Sequence, residues 1–176
     1  ARGTLQALLV GAAAGLLVLP YYNKPTPEGL RAHVRAAAEV GLPLVVYHVP
    51  GRTAQRLSHE LLASLCEIDG VVACKEATGD IQFGQDLMLL TKKPVLSGDD
   101  SWAFPLLTLG GDGVISVASN EIPAEMTRLC ALARAGDWTT ARTLHERLLD
   151  LFRINFISPN PVPVKAALAE MGLIED

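Results

Sequence analysis

The sequence predicts an α/β protein built on a parallel sheet, and three features of its 176 residues lead there. Short apolar runs alternate five times with segments of helical periodicity, at intervals of roughly 20 to 30 residues, which is the rhythm of strand and crossover helix. The runs place Val, Leu and Ala on consecutive positions, as strands buried on both faces do, instead of alternating apolar with polar. Each run leads into a turn-forming stretch of Gly, Pro, Asn, Asp or Ser that carries aromatic or charged side chains. A doubly wound sheet would show a Gly-x-Gly-x-x-Gly loop after its first strand, and none stands there, so part of a (β/α)8 TIM barrel is expected. A full barrel needs eight units and about 250 residues. About five units then form the C-terminal portion of one, over residues 1–120, and a C-terminal helical segment follows over 121–176.

The first segment, residues 4–14, reads as a helix, and the run Gly15-Leu16-Leu17-Val18-Leu19 as a strand stopped by Pro20. Thr26 is placed to cap a helix that has Pro27 at its start, with Leu30, Val34, Ala37 and Ala38 on one face and Gly41 as its end. Leu44-Val45-Val46-Tyr47 is the next strand and residues 48–53 its exit loop. Ser58 caps a helix with Leu61, Leu62 and Leu65 on one side; Val71 to Lys75 is a strand buried on both faces; Asp80 starts the helix that carries Leu87, Leu89 and Leu90. Residues 94–97 and 113–117 read as the fourth and fifth strands, with a helix over 102–109 between them capped by Asp100 or Ser101. Three helices follow near 122–135, 138–156 and 163–171.

Composition narrows the class of function. A 49% hydrophobic content supports a sizeable core. A net charge of −4, from 15 basic and 19 acidic residues well mixed along the chain, forms no basic patch for nucleic acid or a membrane surface. Small polar or anionic metabolites remain as ligands. Cys66, Cys74 and Cys130 lack metal-ligand spacing and stand in apolar contexts, so reduced buried thiols and a cytoplasmic location are expected. The apolar run from residue 5 to 19 meets Pro20 before reaching the ~20 residues of a bilayer span. Because the chain opens without methionine and in mid-helix, it reads as a fragment of something longer, whose raw sheet edges call for the missing strands or another copy.

Lys75 is the residue around which the chemistry gathers. It ends an apolar strand at the side where barrel enzymes place their sites, and desolvation lowers an ammonium's hold on its proton. A neutral lysine amine forms Schiff bases with carbonyl compounds, so an imine-forming enzyme without cofactor or metal is the reading. The competing structural reading is a lysine reaching out of a strand end toward Glu76 or water. If the five strands are consecutive staves, Tyr22, Tyr47, Lys75, Gly98 and Ile115 all lie at or just past strand C-termini. Tyr47 is the best partner for Lys75, since a phenol passes protons to and from a carbinolamine; the alternative is an aromatic filling the interior. Arg52 lies in a Gly- and Pro-bracketed loop where a guanidinium holds a carboxylate bidentately. His48 follows Tyr47 and therefore points elsewhere, into a structural hydrogen-bonding role. Gly98-Asp99-Asp100 lacks the further ligands a metal needs.

Six ordered blocks covering nearly the whole chain resemble the dihydrodipicolinate synthase (4-hydroxy-tetrahydrodipicolinate synthase) family. They are Pro20-Tyr21-Tyr22-Asn23-Lys24-Pro25, Tyr47-His48-Val49-Pro50-Gly51-Arg52-Thr53, Lys75-Glu76-Ala77-Thr78-Gly79, Leu96-Ser97-Gly98-Asp99-Asp100, Gly110 to Val117, and Pro159-Asn160-Pro161-Val162-Pro163-Val164-Lys165. The resemblance implies a lyase of the pyruvate-dependent class I aldolase type that condenses pyruvate with aspartate semialdehyde on the way to diaminopimelate and lysine. It implies that Lys75 forms the imine, that Tyr47 relays protons, and that Arg52 holds the semialdehyde carboxylate. It further implies that Tyr22 enters a neighbour's relay across a tight dimer interface of a homo-oligomer, and that the backbones at Gly98 and Ile115 line the pyruvate pocket. His48 stands where the family usually has asparagine, and Cys74 where it has a branched apolar residue. The resemblance further implies N-terminal strands with a Gly-Thr-Thr-Gly-Glu type loop, which have no counterpart in these 176 residues, and a lysine feedback site of which Tyr21 would be the one residue left. The alternatives are another pyruvate-dependent aldolase, of the N-acetylneuraminate lyase or keto-sugar-acid type, and a non-catalytic half-barrel. Arg52 and the Pro-Asn-Pro-Val-Pro-Val-Lys segment favour the synthase.

Overall fold

A computed structural model describes residues 1–175. The strands are β1 (Gly15–Val18), β2 (Leu44–His48), β3 (Val71–Glu76), β4 (Val95–Ser97) and β5 (Gly113–Val114). The helices are α1 (Arg2–Leu9), α2 (Pro27–Ala38), α3 (Pro50–Thr53), α4 (His59–Cys66), α5 (Ile81–Leu90), α6 (Asp100–Thr108), α7 (Pro123–Arg134), α8 (Trp138–Ile154) and α9 (Val162–Glu170), with a 3₁₀ turn at Ala118–Asn120. The strands form one five-stranded sheet in the order β1-β2-β3-β4-β5, and β1 with β2 and β2 with β3 pair in parallel. The α/β class and the parallel sheet are therefore as expected. The chain divides into two compact units, Ala1–Leu96 and the part from Ser97 onward.

In the first unit, local chemistry sets the helix starts. Thr26 accepts the Gly29 N–H at 3.2 Å, Ser58 accepts that of Leu61 at 3.3 Å, and Asp80 accepts those of Gln82 and Phe83 at 3.1 and 3.2 Å. Each cap satisfies donors that a helix cannot satisfy itself, and each contributes about 0.5–2 kcal/mol. Leu30, Val34 and Ala37 of α2, Leu62, Leu65 and Cys66 of α4, Leu44 and Val46 of β2, and Cys74 of β3 are sealed from solvent. Burying one such Leu or Val side chain contributes about 1.5–3 kcal/mol, and this shared core fixes α4 on β2 and β3.

Several local expectations are corrected. Helix α1 stops at Leu9, short of residue 14, where Gly11 takes a left-handed φ of +83°. Helix α2 ends at Ala38, three residues before Gly41. The exit loop of β2 contains the short helix α3, which Pro50 opens. Val72 of β3 is 44% exposed, contrary to a strand buried on both faces, and a register shift opposite Leu44 and Val45 leaves it without a partner on β2.

In the second unit, α6 packs on α7 and α8, and α7 packs on α8. Their core comprises Ala118, Met126, Leu129, Ala141, Leu144, Leu148 and Phe152. The N-cap of α6 is Asp99, whose carboxylate accepts the Ser101 N–H at 2.8 Å, and neither Asp100 nor Ser101 fills that place. Asp100 is fully buried and accepts the N–H groups of Val117 and Ala118 at 3.1 and 2.9 Å. These bonds turn the chain out of the sheet, which explains why β5 ends at Val114 and not at residue 117.

Candidate active site

Register partners on neighbouring parallel strands point to the same face. Val45 is opposite Ala73 and Tyr47 opposite Lys75, while Val46 is opposite Cys74 and His48 opposite Glu76. One face therefore carries Val45, Tyr47, Ala73 and Lys75, joined from β1 by Leu16 and Val18. The other carries Val46, His48, Cys74 and Glu76, all buried beneath the helices.

Tyr47 and Lys75 meet directly. The Lys75 Nζ lies 4.4 Å from the centroid of the Tyr47 ring, and the lysine is 9% exposed. In its ammonium form Lys75 is attracted to the ring face by about 0.5–2 kcal/mol depending on desolvation, and the contact places the amine beside the Tyr47 ring. A carbonyl compound arriving there meets a buried, located amine with a phenol beside it.

The titratable neighbours on the strands are turned away. Glu76 sits on the opposite face of β3, where its Oε1 accepts the Thr78 N–H at 2.6 Å. Burial pushes its carboxyl up, and the bonds from Thr78 oppose that rise. His48 is sealed against Phe83, with ring centroids 5.3 Å apart, and its Nε2 accepts the Leu57 N–H at 3.2 Å. Burial, with the Arg56 guanidinium adding to it, lowers the imidazole to about 4, so His48 is neutral at pH 7. This is the structural role its position after Tyr47 implies.

Arg52 is exposed on α3, four residues past β2. The Val49 carbonyl accepts the N–H groups of Arg52 and Thr53 at 2.9 and 3.0 Å and closes that turn. Tyr22, past β1, is 94% exposed with a φ of +71°, and Lys24 has a φ of +40°. Left-handed conformations in non-glycine residues cost about 1–3 kcal/mol and gather at functional segments. Gln55, just past α3, ties the two segments together: its Nε2 donates to the Pro25 carbonyl at 2.9 Å. Sequence reasoning missed Gln55, because its partner lies 30 positions away and no local pattern announces it.

Gly98 and Ile115 belong to the second unit, directly after β4 and β5. The Ile115 N–H donates to the Ser97 carbonyl at 2.9 Å. The Ser97 hydroxyl donates to the Asp99 carbonyl at 2.7 Å and accepts the Asp99 N–H at 3.2 Å. Gly98 is thus enclosed in a small hydroxyl-bridged turn. Among the described residues no three His, Cys, Asp or Glu side chains gather as a metal ion would require.

Residues 3–176 match the model of the dihydrodipicolinate synthetase family. The chain belongs to that family. The 4-hydroxy-tetrahydrodipicolinate synthase of Ectopseudomonas mendocina is 48% identical over 176 residues, covering 98% of this chain and 60% of that protein. The enzyme of the same name from Nitratidesulfovibrio vulgaris is 51% identical over 169 residues, covering 94% of this chain and 58% of its own length. Among solved structures, the chloride-inhibited dihydrodipicolinate synthase of Acinetobacter baumannii complexed with pyruvate superposes with a TM-score of 0.94 at 48% identity, covering 99% of this chain and 61% of that one. The Thermotoga maritima dihydrodipicolinate synthase gives 0.95 at 44% identity, with the same coverage. The chain spans about 60% of the length of the curated relatives it matches. No helix among the described residues is long and apolar enough to cross a membrane.

Proposed function

We propose that this chain carries the Schiff-base machinery of a cytoplasmic 4-hydroxy-tetrahydrodipicolinate synthase, which condenses pyruvate with aspartate semialdehyde. It forms about five C-terminal units of a (β/α)8 barrel over residues 1–120, followed by C-terminal helices over 121–176. The observation that carries this reading is the contact of the Lys75 Nζ with the Tyr47 ring, on one sheet face and in strand register. Pyruvate as the bound partner of the Acinetobacter baumannii relative, and the synthase name of the curated relatives, support it.

Lys75 acts as nucleophile: its neutral amine attacks the ketone carbon of pyruvate, and loss of water leaves an imine. Tyr47 gives and takes the protons of the carbinolamine, with Tyr22 of a neighbouring copy completing that relay in a homo-oligomer. A proton lost from the pyruvyl methyl group gives an enamine whose carbon attacks the aldehyde, while Arg52 holds the semialdehyde carboxylate. Gly98 and Ile115 line the pyruvate pocket with backbone groups. The covalent imine takes the place of a cofactor.

Borohydride reduction in the presence of pyruvate tests the reading, with the chain supplied with the N-terminal strands of a relative. The peptide containing Lys75 should gain a reduced pyruvyl group, pyruvate should condense with aspartate semialdehyde, and N-acetylneuraminate should not be cleaved to pyruvate. An adduct confined to another lysine would overturn the assignment.

A further inference from the structure

The segment from Val49 to Leu57 is fastened at both ends. At its base, the Val49 carbonyl accepts from Arg52 N, Thr53 N and the Thr53 hydroxyl, the last at 3.2 Å. At its far end, the Leu57 N–H is taken by Nε2 of the buried His48, which therefore carries its proton on Nδ1. Between these anchors Ala54 adopts a left-handed φ of +54° and ends α3, turning the chain so that Gln55 reaches back to the Pro25 carbonyl. Pro25 closes the loop in which Tyr22 and Lys24 are held at positive φ, and it directly precedes Thr26, the cap of α2. Gln55 is half-buried, so this bond is partly shielded from competing water. This bond reaches from the Val49–Leu57 segment to the Tyr22 loop across 30 positions of sequence.

We propose that Gln55 is a positioning residue that locks the loop carrying Arg52 to the loop carrying Tyr22, so that the two side chains are set as one body. The lock itself stands on the hydrogen bonds above; what the two side chains do for substrate rests on the function just proposed. The strained conformation at Tyr22 persists because both flanks of its loop are tied, to β1 on one side and through Gln55 to α3 on the other.

The test is Gln55→Met, which keeps length and shape and removes the donor. Amide hydrogen exchange in the 176-residue chain should quicken by about tenfold in both segments 21–25 and 50–57, with β2 and β3 unchanged. With the N-terminal strands supplied, the KM for aspartate semialdehyde should rise about tenfold, while borohydride trapping of pyruvate on Lys75 stays as in the parent. Faster exchange confined to residues 50–57, or none, would overturn the lock. Coupled exchange with an unmoved semialdehyde KM would overturn the positioning role. If the parent traps pyruvate but condenses nothing, the proposed reaction fails while the exchange data still decide the lock.

Discussion

Asp100→Ala should destabilise the second unit by about 2–4 kcal/mol. The Asp100 carboxylate is fully buried, and its Oδ2 accepts two backbone donors, Val117 N and Ala118 N. Ala118 is also fully buried, so its N–H loses its partner without gaining water, which costs about 1–3 kcal/mol; Val117 is half-buried and loses less. Part of the loss is returned, because Oδ1 has no partner among the described residues and its removal relieves a buried polar atom. Asp100→Asn keeps an acceptor in place and should lose about half as much. The chain's two tryptophans, Trp102 and Trp138, both lie in the second unit, so a urea titration followed by their fluorescence reports the relevant region. With a slope of about 1–2 kcal/mol per molar for a region of this size, the midpoint should fall by about 2 M. A midpoint for Asp100→Ala within about 0.5 M of the parent would refute the claim that this carboxylate holds the turn after β5.

Arg52→Ala should weaken use of aspartate semialdehyde by about 1.5–3 kcal/mol in kcat/KM, the range for a hydrogen bond to a charged group, while the pyruvate imine still forms; equal loss of both would make Arg52 a loop support. Stability should fall as pH drops from about 6.5 to about 4, since the unfolded chain protonates His48 first and the folded chain resists until about 4, a loss of at most about 3 kcal/mol. Glu76, raised by burial, works in the opposite sense near the ordinary carboxylate range, so the His48 share is the difference between parent and His48→Asn titrations, and identical curves would remove it. The 176 residues alone should turn over slowly if at all, because Leu16 is 49% exposed on the face that holds Tyr47 and Lys75, and among the described residues β1 and β5 stand at the ends of the strand order. Appreciable condensation by the chain alone, without added N-terminal strands, would overturn that expectation.

Legibility in the sequence followed the range of the interaction. Thr26, Ser58 and Asp80 were readable as caps because a cap bonds donors two or three residues away, inside the window that pattern reasoning sees. The sequence offers Asp100 as such a cap, yet its partners lie 17 and 18 residues on and the neighbouring Asp99 holds the local bond. Helix α3 hid inside a stretch of Pro and Gly that reads equally well as a turn. Residue type and a place at strand ends mark Lys75 and Tyr47 in the sequence. Their mutual geometry was not readable, because it depends on how two strands slide past each other.

That sliding is settled by one residue. Leu44 is opposite Val71, and had the ladder run on without interruption, Val45 would face Val72, Tyr47 would face Cys74 and His48 would face Lys75. A slip of one residue moves every side chain to the other face of a strand. Lys75 would then share a face with His48, beneath the helices, and Tyr47 would share one with a thiol. The irregularity between Leu44 and Val45 leaves Val72 without a partner and shifts the rest of β3 by one, which brings Ala73 opposite Val45 and Lys75 opposite Tyr47. The residue that β2 passes over is Val72, a large apolar side chain that is 44% exposed in an otherwise buried strand. Bulges in parallel pairs are rare, and they are found where a strand must re-aim a side chain. Here the re-aimed side chain is the lysine, and the contact between its amine and the Tyr47 ring exists because β3 holds one more residue than β2 needs.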